Sequence, residues 1–291
     1  MISSSLPAAG CMRWGKWGAH FSTGEYYRLI TECISQGITA FDHADIYGDY
    51  TTEEEFGNAL RTDKGLRAQI QIITKCGICR PCENRPGYGI KSYDVSARHI
   101  IASAERSLQN FNTDYLDLLL IHRPSPLLNP HEVAEAVELL KKDGKILQFG
   151  VSNFLPHQVN MLSKFIKIEY NQVEISIISA APFINGILDN CLENGIVPMA
   201  WAPLGGGIVS DDSHPHFRAI TKEAEQLAEK YNTGINQVLV AFLLAHPSGI
   251  IPVVGTTKME RLIQSKEAFS VRLSREDWFR LYEASRGEEV A

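Results

Sequence analysis

Nowhere in the 291 residues does an uninterrupted apolar run approach the ~20 residues of a membrane-spanning helix. The opening MISSSLPAAGCMRWG lacks the charged and apolar regions of a secretory leader, so the expected location is the cytoplasm. Cysteine is sparse. Six residues (Cys11, Cys33, Cys76, Cys79, Cys82, Cys191) in a chain this long make no disulfide framework, and reduced thiols are expected. Positive charge is not in excess: 28 Lys and Arg stand against 34 Asp and Glu, a formal net charge of -6. That balance gives no footprint for nucleic acid or for an anionic membrane. No Pro/Gly/Ser-rich linker, charge block or low-complexity tract interrupts the chain, so residues 1–291 read as one domain, with no obligate protein partner implied. No G-x-G-x-x-G follows a strand, which disfavours a Rossmann dehydrogenase.

What the chain does have is a rhythm. Hydrophobic residues at 44% and charged residues at 21% describe an ordinary globular core. Short apolar runs rich in β-formers recur at 38–41, 70–74, 115–121, 146–151, 168–173, 196–201 and 250–254, with a weaker one at 7–12. Each is too short for a helix and suits a strand buried on both faces. Between them, 23–35, 96–110, 130–142 and 221–231 place apolar residues three and four apart, as amphipathic helices do. Asp94 and Ser96 are candidate N-caps and Gly144 a candidate C-cap. Alternating strands and helices imply βαβ units and a parallel α/β sheet. Eight such units close naturally into a (β/α)8 barrel of the TIM type, although an open doubly wound sheet has the same rhythm.

The strand ends separate these possibilities. Nearly every run stops at polar or unusual residues: Asp42, Lys75, His122, Ser152 and Asn153, Gln172, Trp201, and the turn Gly255, Thr256, Thr257. Barrel enzymes build their sites at the C-terminal ends of several strands, where these residues would converge.

Asp42 and Tyr47 lie in F-D-H-A-D-I-Y-G, Lys75 in I-I-T-K-C-G and His122 in L-L-L-I-H-R-P. With V-S-N at 151–153, N-Q-V-E at 171–174, A-W-A-P-L-G-G-G at 200–207 and G-T-T-K-M-E-R at 255–261, the chain resembles the aldo-keto reductase superfamily over about residues 7–270. The D-H-A-D-I-Y-G form, with His43 where Thr is commoner, resembles a bacterial subfamily of short members. The resemblance implies a tetrad of Asp42, Tyr47, Lys75 and His122 that reduces small aldehydes and ketones with NADPH.

The chemistry of those residue types is consistent with this. Adding hydride to a carbonyl puts negative charge on its oxygen, which needs a proton donor. A free tyrosine titrates near ~10, and an ammonium close by favours its phenolate and lowers that value. Asp42 would hold Lys75 charged and oriented, and His122 would align the carbonyl. By the same resemblance Ser152, Asn153 and Gln172 hold the nicotinamide carboxamide, and Trp201 stacks on its ring where the family usually has Tyr. Leu204, Gly205 and Gly206 approach the pyrophosphate, with the Gly255-Thr256-Thr257 turn also counted to the cofactor site. Lys258 and Arg261 would clamp the adenosine 2′-phosphate, for which a bidentate Arg is well suited.

Two segments depart from the pattern. In C-G-I-C-R-P-C the cysteines recur every three residues, which evokes metal ligation, but no fourth ligand stands nearby. No metal is expected, and the 76–91 segment reads as a long loop shaping the pocket. His43 and Asp45 invite a metal-dependent hydrolase reading, which Lys75 beside Tyr47 opposes. A module that senses NADPH with slow turnover is the other alternative. At the far end 274–284 reads as an amphipathic helix with Ser274 as cap and Trp278, Leu281 and Tyr282 packed inward. The remaining tail, 285–291, has too few apolar groups to form a lid. Pocket walls would come instead from Arg13, Trp14 and Trp17, from 76–91 and from the region after Trp201. An open, tolerant mouth is expected.

Overall fold

The computed structural model describes residues 2–206 and 214–291. Along the chain run β1 (Ala8–Gly10), α1 (Thr23–Ser35), β2 (Ala40–Asp42), α2 (Thr52–Thr62), β3 (Gln71–Cys76), β4 (Ile78–Cys79), β5 (Ser92–Tyr93), α3 (Ala97–Phe111), β6 (Leu116–Ile121) and α4 (Pro130–Lys142). There follow β7 (Ile146–Ser152), α5 (Pro156–Leu162), β8 (Tyr170–Glu174), α6 (Ile187–Asn194), β9 (Val197–Trp201), α7 (Phe217–Lys230), α8 (Ile235–Leu244), β10 (Ile251–Val254), α9 (Met259–Glu267) and α10 (Arg275–Arg286). Eight parallel strands, all but β4 and β5, form the closed barrel of a single (β/α)8 fold. All eight apolar runs therefore became barrel strands, and the open sheet is excluded. Contacts concentrate in two compact units, one of Ala8–Gln172 with Gly255–Met259, the other of Ser3–Pro7, Val173–Val254 and Glu260–Ala291.

In the first unit the parallel register runs Gly10 to Asp42, Asp42 to Ile73, Lys75 to Leu120, Leu120 to Gly150 and Ser152 to Gln172. This brings the polar ends of neighbouring strands side by side. Behind them an aromatic cluster packs Trp14, Tyr26, Phe41, Phe56 and Phe111, each fully buried. Glu53 on α2 is buried too, and its carboxylate accepts from Thr74 Oγ1 at 2.6 Å, Ser107 Oγ at 2.9 Å and Asn110 Nδ2 at 3.1 Å. These bonds tie α2 to β3 and α3. The two helices touch at Gly57, where a β-carbon would collide with the Asn110 carbonyl. Local caps follow the sequence. Ser22 and Glu25 close a capping box on α1, and Ser96 Oγ accepts from His99 N at 3.3 Å to cap α3. Asp94 is not the cap itself; it accepts from Ser96 N and Oγ and orients it. Gly144 follows the α4 C-cap Asp143 with φ 69°.

In the second unit β9 pairs with β10, Met199 to Ile251 and Trp201 to Val253. Val238, Leu239, Phe242 and Leu243 of α8 form a core with Ile220, Ala224 and Leu227 of α7 and Leu281 and Tyr282 of α10. Trp278 stacks on Phe242 at 4.8 Å and 10°, and its indole N–H donates to the Phe242 carbonyl at 2.9 Å. The Asp277 carboxylate accepts from Lys230 Nζ at 2.9 and 2.7 Å, from Ser274 Oγ at 2.7 Å and from the Tyr231 hydroxyl, clamping α10 to the end of α7. Helix α7 begins at Phe217, four residues before its apolar periodicity. Helix α10 runs to Arg286 and ends on Gly287, which lies against the His216 ring, so 285–291 is not all free tail.

Candidate active site

Asp42 is the last residue of β2, Lys75 the penultimate residue of β3, and His122 follows β6, its backbone N–H donating to the Cys76 carbonyl at 2.8 Å. Tyr47 opens a single 3₁₀ turn, Tyr47–Asp49. Lys75 is 1% exposed on its side chain. It donates to Asp42 Oδ1 and Oδ2 at 2.9 and 2.7 Å, to the His43 carbonyl at 2.7 Å and to the Tyr47 hydroxyl oxygen at 3.3 Å. An ammonium has three protons, and here they serve a carboxylate, a carbonyl and a phenol. Because the Tyr47 oxygen accepts, its own hydrogen is free to be given elsewhere. The Tyr47 and His122 rings stand edge to face, 6.2 Å apart at 80°.

The charges follow from burial and from these neighbours. Burial works against the Lys75 ammonium, but Asp42 and Tyr47 more than offset it and hold its pKa above the usual lysine value. For Tyr47 burial is the largest influence and raises the pKa; Lys75 pulls the other way but does not prevail. The expected downward pull of Lys75 is present, but the net value lies above the ordinary one. The ammonium reduces a rise that burial imposes, and Tyr47 is kept protonated at neutral pH. His122 is driven well below the ordinary histidine value, first by burial, then by Lys75, Arg123 and Lys91. It stands as a neutral imidazole whose Nδ1 is buried with no partner among the described residues. A phenol with a free hydrogen beside a neutral imidazole can bind, polarise and protonate a carbonyl oxygen.

Among the residues expected to hold a cofactor, Gln172, in the middle of β8, donates from Nε2 to Asp42 Oδ1 at 2.7 Å and so fixes that carboxylate. Ser152 Oγ donates to the Gln172 carbonyl at 2.9 Å and accepts from Asn153 Nδ2 at 2.8 Å. Asn153 is left-handed with φ 61°. A β-carbon at Gly206 or Gly255 would meet nothing within 4 Å, so both positions leave room for a ligand against bare backbone. Thr256 is buried and its Oγ1 accepts from Lys258 N at 3.1 Å. Lys258 and Arg261 are exposed, and among the described residues neither side chain makes an ion pair. Trp201, Leu204, Gly205, Gly206 and Arg261 belong to the second unit, the other residues to the first. Gly207, the end of the A-W-A-P-L-G-G-G motif, lies outside the described residues.

Other residues take different roles from those expected. Trp14 is no pocket wall: it is fully buried, with Nε1 donating to the Thr256 carbonyl at 2.9 Å. Trp17 does stand beside Tyr47, ring centroids 6.0 Å apart. His43 packs against Phe56 at 4.5 Å and Phe111 at 5.0 Å, and burial pushes its pKa down to about 3. Its imidazole fills the core, and its carbonyl is what reaches Lys75. Asp45 is buried, with a carboxyl raised well above the carboxylate range by burial and by Glu53. At the start of the 76–91 segment β4 pairs antiparallel with β5, which lies just beyond it; Cys76 and Cys79 are buried and Cys82 half-buried. Among the described residues no group of three or more His, Cys, Asp or Glu side chains is placed to hold a metal ion. Nor is any helix long and apolar enough to cross a membrane.

Residues 8–286 match the model of the aldo/keto reductase family. The oxidoreductase YcsN of Bacillus subtilis is 43% identical over 284 residues, covering 97% of this chain and 94% of that protein. A 6-dehydroglucose reductase of Agrobacterium fabrum is 38% identical, covering 96% and 95%. Among solved structures, a thermostable aldo-keto reductase bound to the inhibitor epalrestat superposes with a TM-score of 0.80 at 26% identity, covering 97% and 95%.

Proposed function

The chain belongs to the aldo/keto reductase family and is an NADP-dependent oxidoreductase; from that premise we propose that it reduces small aldehydes and ketones to alcohols with Tyr47 as the general acid. One observation carries the reading: the Tyr47 oxygen accepts from Lys75 at 3.3 Å, which leaves the phenolic hydrogen available. NADPH, when bound, supplies the hydride that reduces the carbonyl carbon. As the carbonyl oxygen gains charge, Tyr47 gives it a proton, and the phenolate left behind faces the Lys75 ammonium. Neutral His122 donates a hydrogen bond to the same oxygen and fixes its direction. Asp42, held by Gln172, keeps Lys75 charged and in place. General acid catalysis of this kind typically supplies ~10²–10⁴-fold.

Ser152, Asn153 and Gln172 are proposed to hold the carboxamide, and Trp201 to lie against the nicotinamide ring. Leu204, Gly205, Gly206 and Gly255, Thr256, Thr257 would give the nucleotide its backbone cradle. Lys258 and Arg261 would take its 2′-phosphate. The family assignment removes the metal-dependent hydrolase alternative. Against a sensing module with slow turnover, the test is aldehyde-dependent loss of NADPH absorbance with the wild-type chain. Steady oxidation that stops when the aldehyde is exhausted is expected; one slow equivalent per chain would favour the sensor.

A further inference from the structure

The segments that follow β1, β2, β3 and β6 (residues 11–22, 43–51, 77–96 and 122–129) hold six Lys or Arg and four Asp or Glu residues. One of those acids, Asp45, is buried. The whole chain carries a formal charge of -6. The segments around Tyr47 and His122 are therefore net positive in a chain that is negative as a whole. None of the residues assigned above to the cofactor lies in these segments.

At their centre stands Asp49, two residues beyond Tyr47. Its Oδ2 accepts from Lys16 Nζ at 2.9 Å, and its Oδ1 from Trp17 Nε1 at 3.1 Å and Arg80 Nε at 3.2 Å. Its carbonyl accepts from Asn84 Nδ2 at 2.8 Å. Gly48, Asp49 and Tyr50 all have positive φ, 61°, 58° and 71°. Two non-glycine residues are thus held in a region that side chains disfavour, and such strain persists where the surroundings enforce it. One carboxylate so fastens two cations that stay 46% and 42% exposed, Lys16 and Arg80. Glu83 is the other acid near Lys16, while Asp94 is turned to Ser96 and His99. The Arg80 guanidinium lies over the Trp17 ring, 5.0 Å from its centroid, and that ring is the one beside Tyr47. Only Nε of the guanidinium is used; among the described residues Nη1 and Nη2 donate to nothing. A flat fork of unused donors on an aromatic platform matches a carboxylate.

We propose that the carbonyl substrate carries a carboxylate a few bonds from its reacting carbon, bound by Arg80 on the Trp17 platform. The inference rests on the reading of Tyr47 as proton donor. Positive potential at such a mouth also raises the capture rate of anions, an effect that salt removes.

The test compares para-formylbenzoate with para-formylbenzamide, which differ in charge but hardly in shape. At low salt the wild-type kcat/KM for the benzoate should exceed that for the benzamide about tenfold, the ratio falling toward one in about 0.5 M salt. In Arg80→Gln the ratio should fall close to one without salt. A second arm titrates the chain, with NADP+ present, with benzoate or benzamide, following the tryptophan fluorescence that is lost in Trp17→Phe. Benzoate should quench it at lower concentration than benzamide. Turnover with a ratio at or below one in the wild type, or a ratio unchanged in Arg80→Gln, overturns the inference and leaves the reductase reading intact. Quenching by benzoate without any turnover keeps the anion site and removes the reductase reading. Neither turnover nor preferential quenching removes both.

Discussion

Replacing Lys75 with methionine keeps a side chain of similar length and removes the ammonium. Lys75 and Asp42 are both buried, 1% and 4% exposed on their side chains. The substitution would leave Asp42 with the single donor Gln172 Nε2, and the His43 carbonyl without the Lys75 bond. Removing one partner of a buried pair costs about 3–5 kcal/mol, because the other charge stays behind unpaired. In a chain of this size that should lower Tm by roughly 10 °C. Asp42→Asn combined with Lys75→Met removes both charges and should recover about 2 kcal/mol or more of the deficit. Urea unfolding of both variants, followed by circular dichroism, checks this. Wild-type stability in Lys75→Met, or a double variant no better than the single one, would refute the reasoning.

Arg261→Ala should weaken NADPH binding roughly 10- to 100-fold and leave NADH nearly unaffected, since a hydrogen bond to a charged group is worth about 1.5–3 kcal/mol; fluorescence titration of both nucleotides reads this, and equal losses would contradict it. Asp277→Asn should destabilise the chain by about 1–3 kcal/mol in urea unfolding. Despite its burial, hydrogen bonds from Lys230, Tyr231 and Ser274 hold the Asp277 carboxyl at about 2. Its contribution is full above the ~3.9 of the unfolded group and is lost as pH falls through about 2, so the variant's deficit should shrink in that window. Removing residues 288–291, beyond Gly287, should leave kcat and KM for aldehydes unchanged; a large rise in KM would show that the tail takes part in the site.

The barrel strands were readable because a strand buried on both faces is a short continuous apolar run, a pattern that survives without any tertiary context. Helix α8 was not, since Gln237–Leu243 are all buried and a helix apolar on every side has no stripe of period 3.6. Helix α2 was hidden by Glu53, Glu54 and Glu55, which look like a solvated run, whereas Glu53 is in fact enclosed by Thr74, Ser107 and Asn110. The β4–β5 hairpin offers only two residues a side, too few for alternation to register. At the site, the four side chains of the proposed tetrad stand at strand ends or just past them, so their spacing exposed them. What spacing could not reveal was contact between distant strands: the bond from Gln172 to Asp42 spans 130 residues. Nor could it reveal that His43 is a packing residue, which depends on Phe56 and Phe111 closing around its ring. The left-handed Tyr50 had no signal, and Asp49 only a weak one, since aspartate is merely enriched in that conformation and a tyrosine does not favour it.

The central claim is that Tyr47 gives the proton. Single-turnover reduction of an aldehyde by the NADPH-loaded protein, wild type against Tyr47→Phe, tests it most directly, with NADPH affinity and the circular dichroism spectrum measured on the same samples. The account predicts that Tyr47→Phe binds NADPH and unfolds like the wild type, while its rate of hydride transfer falls about 10²–10⁴-fold. A Phe variant that reduces the aldehyde at close to the wild-type rate would contradict it.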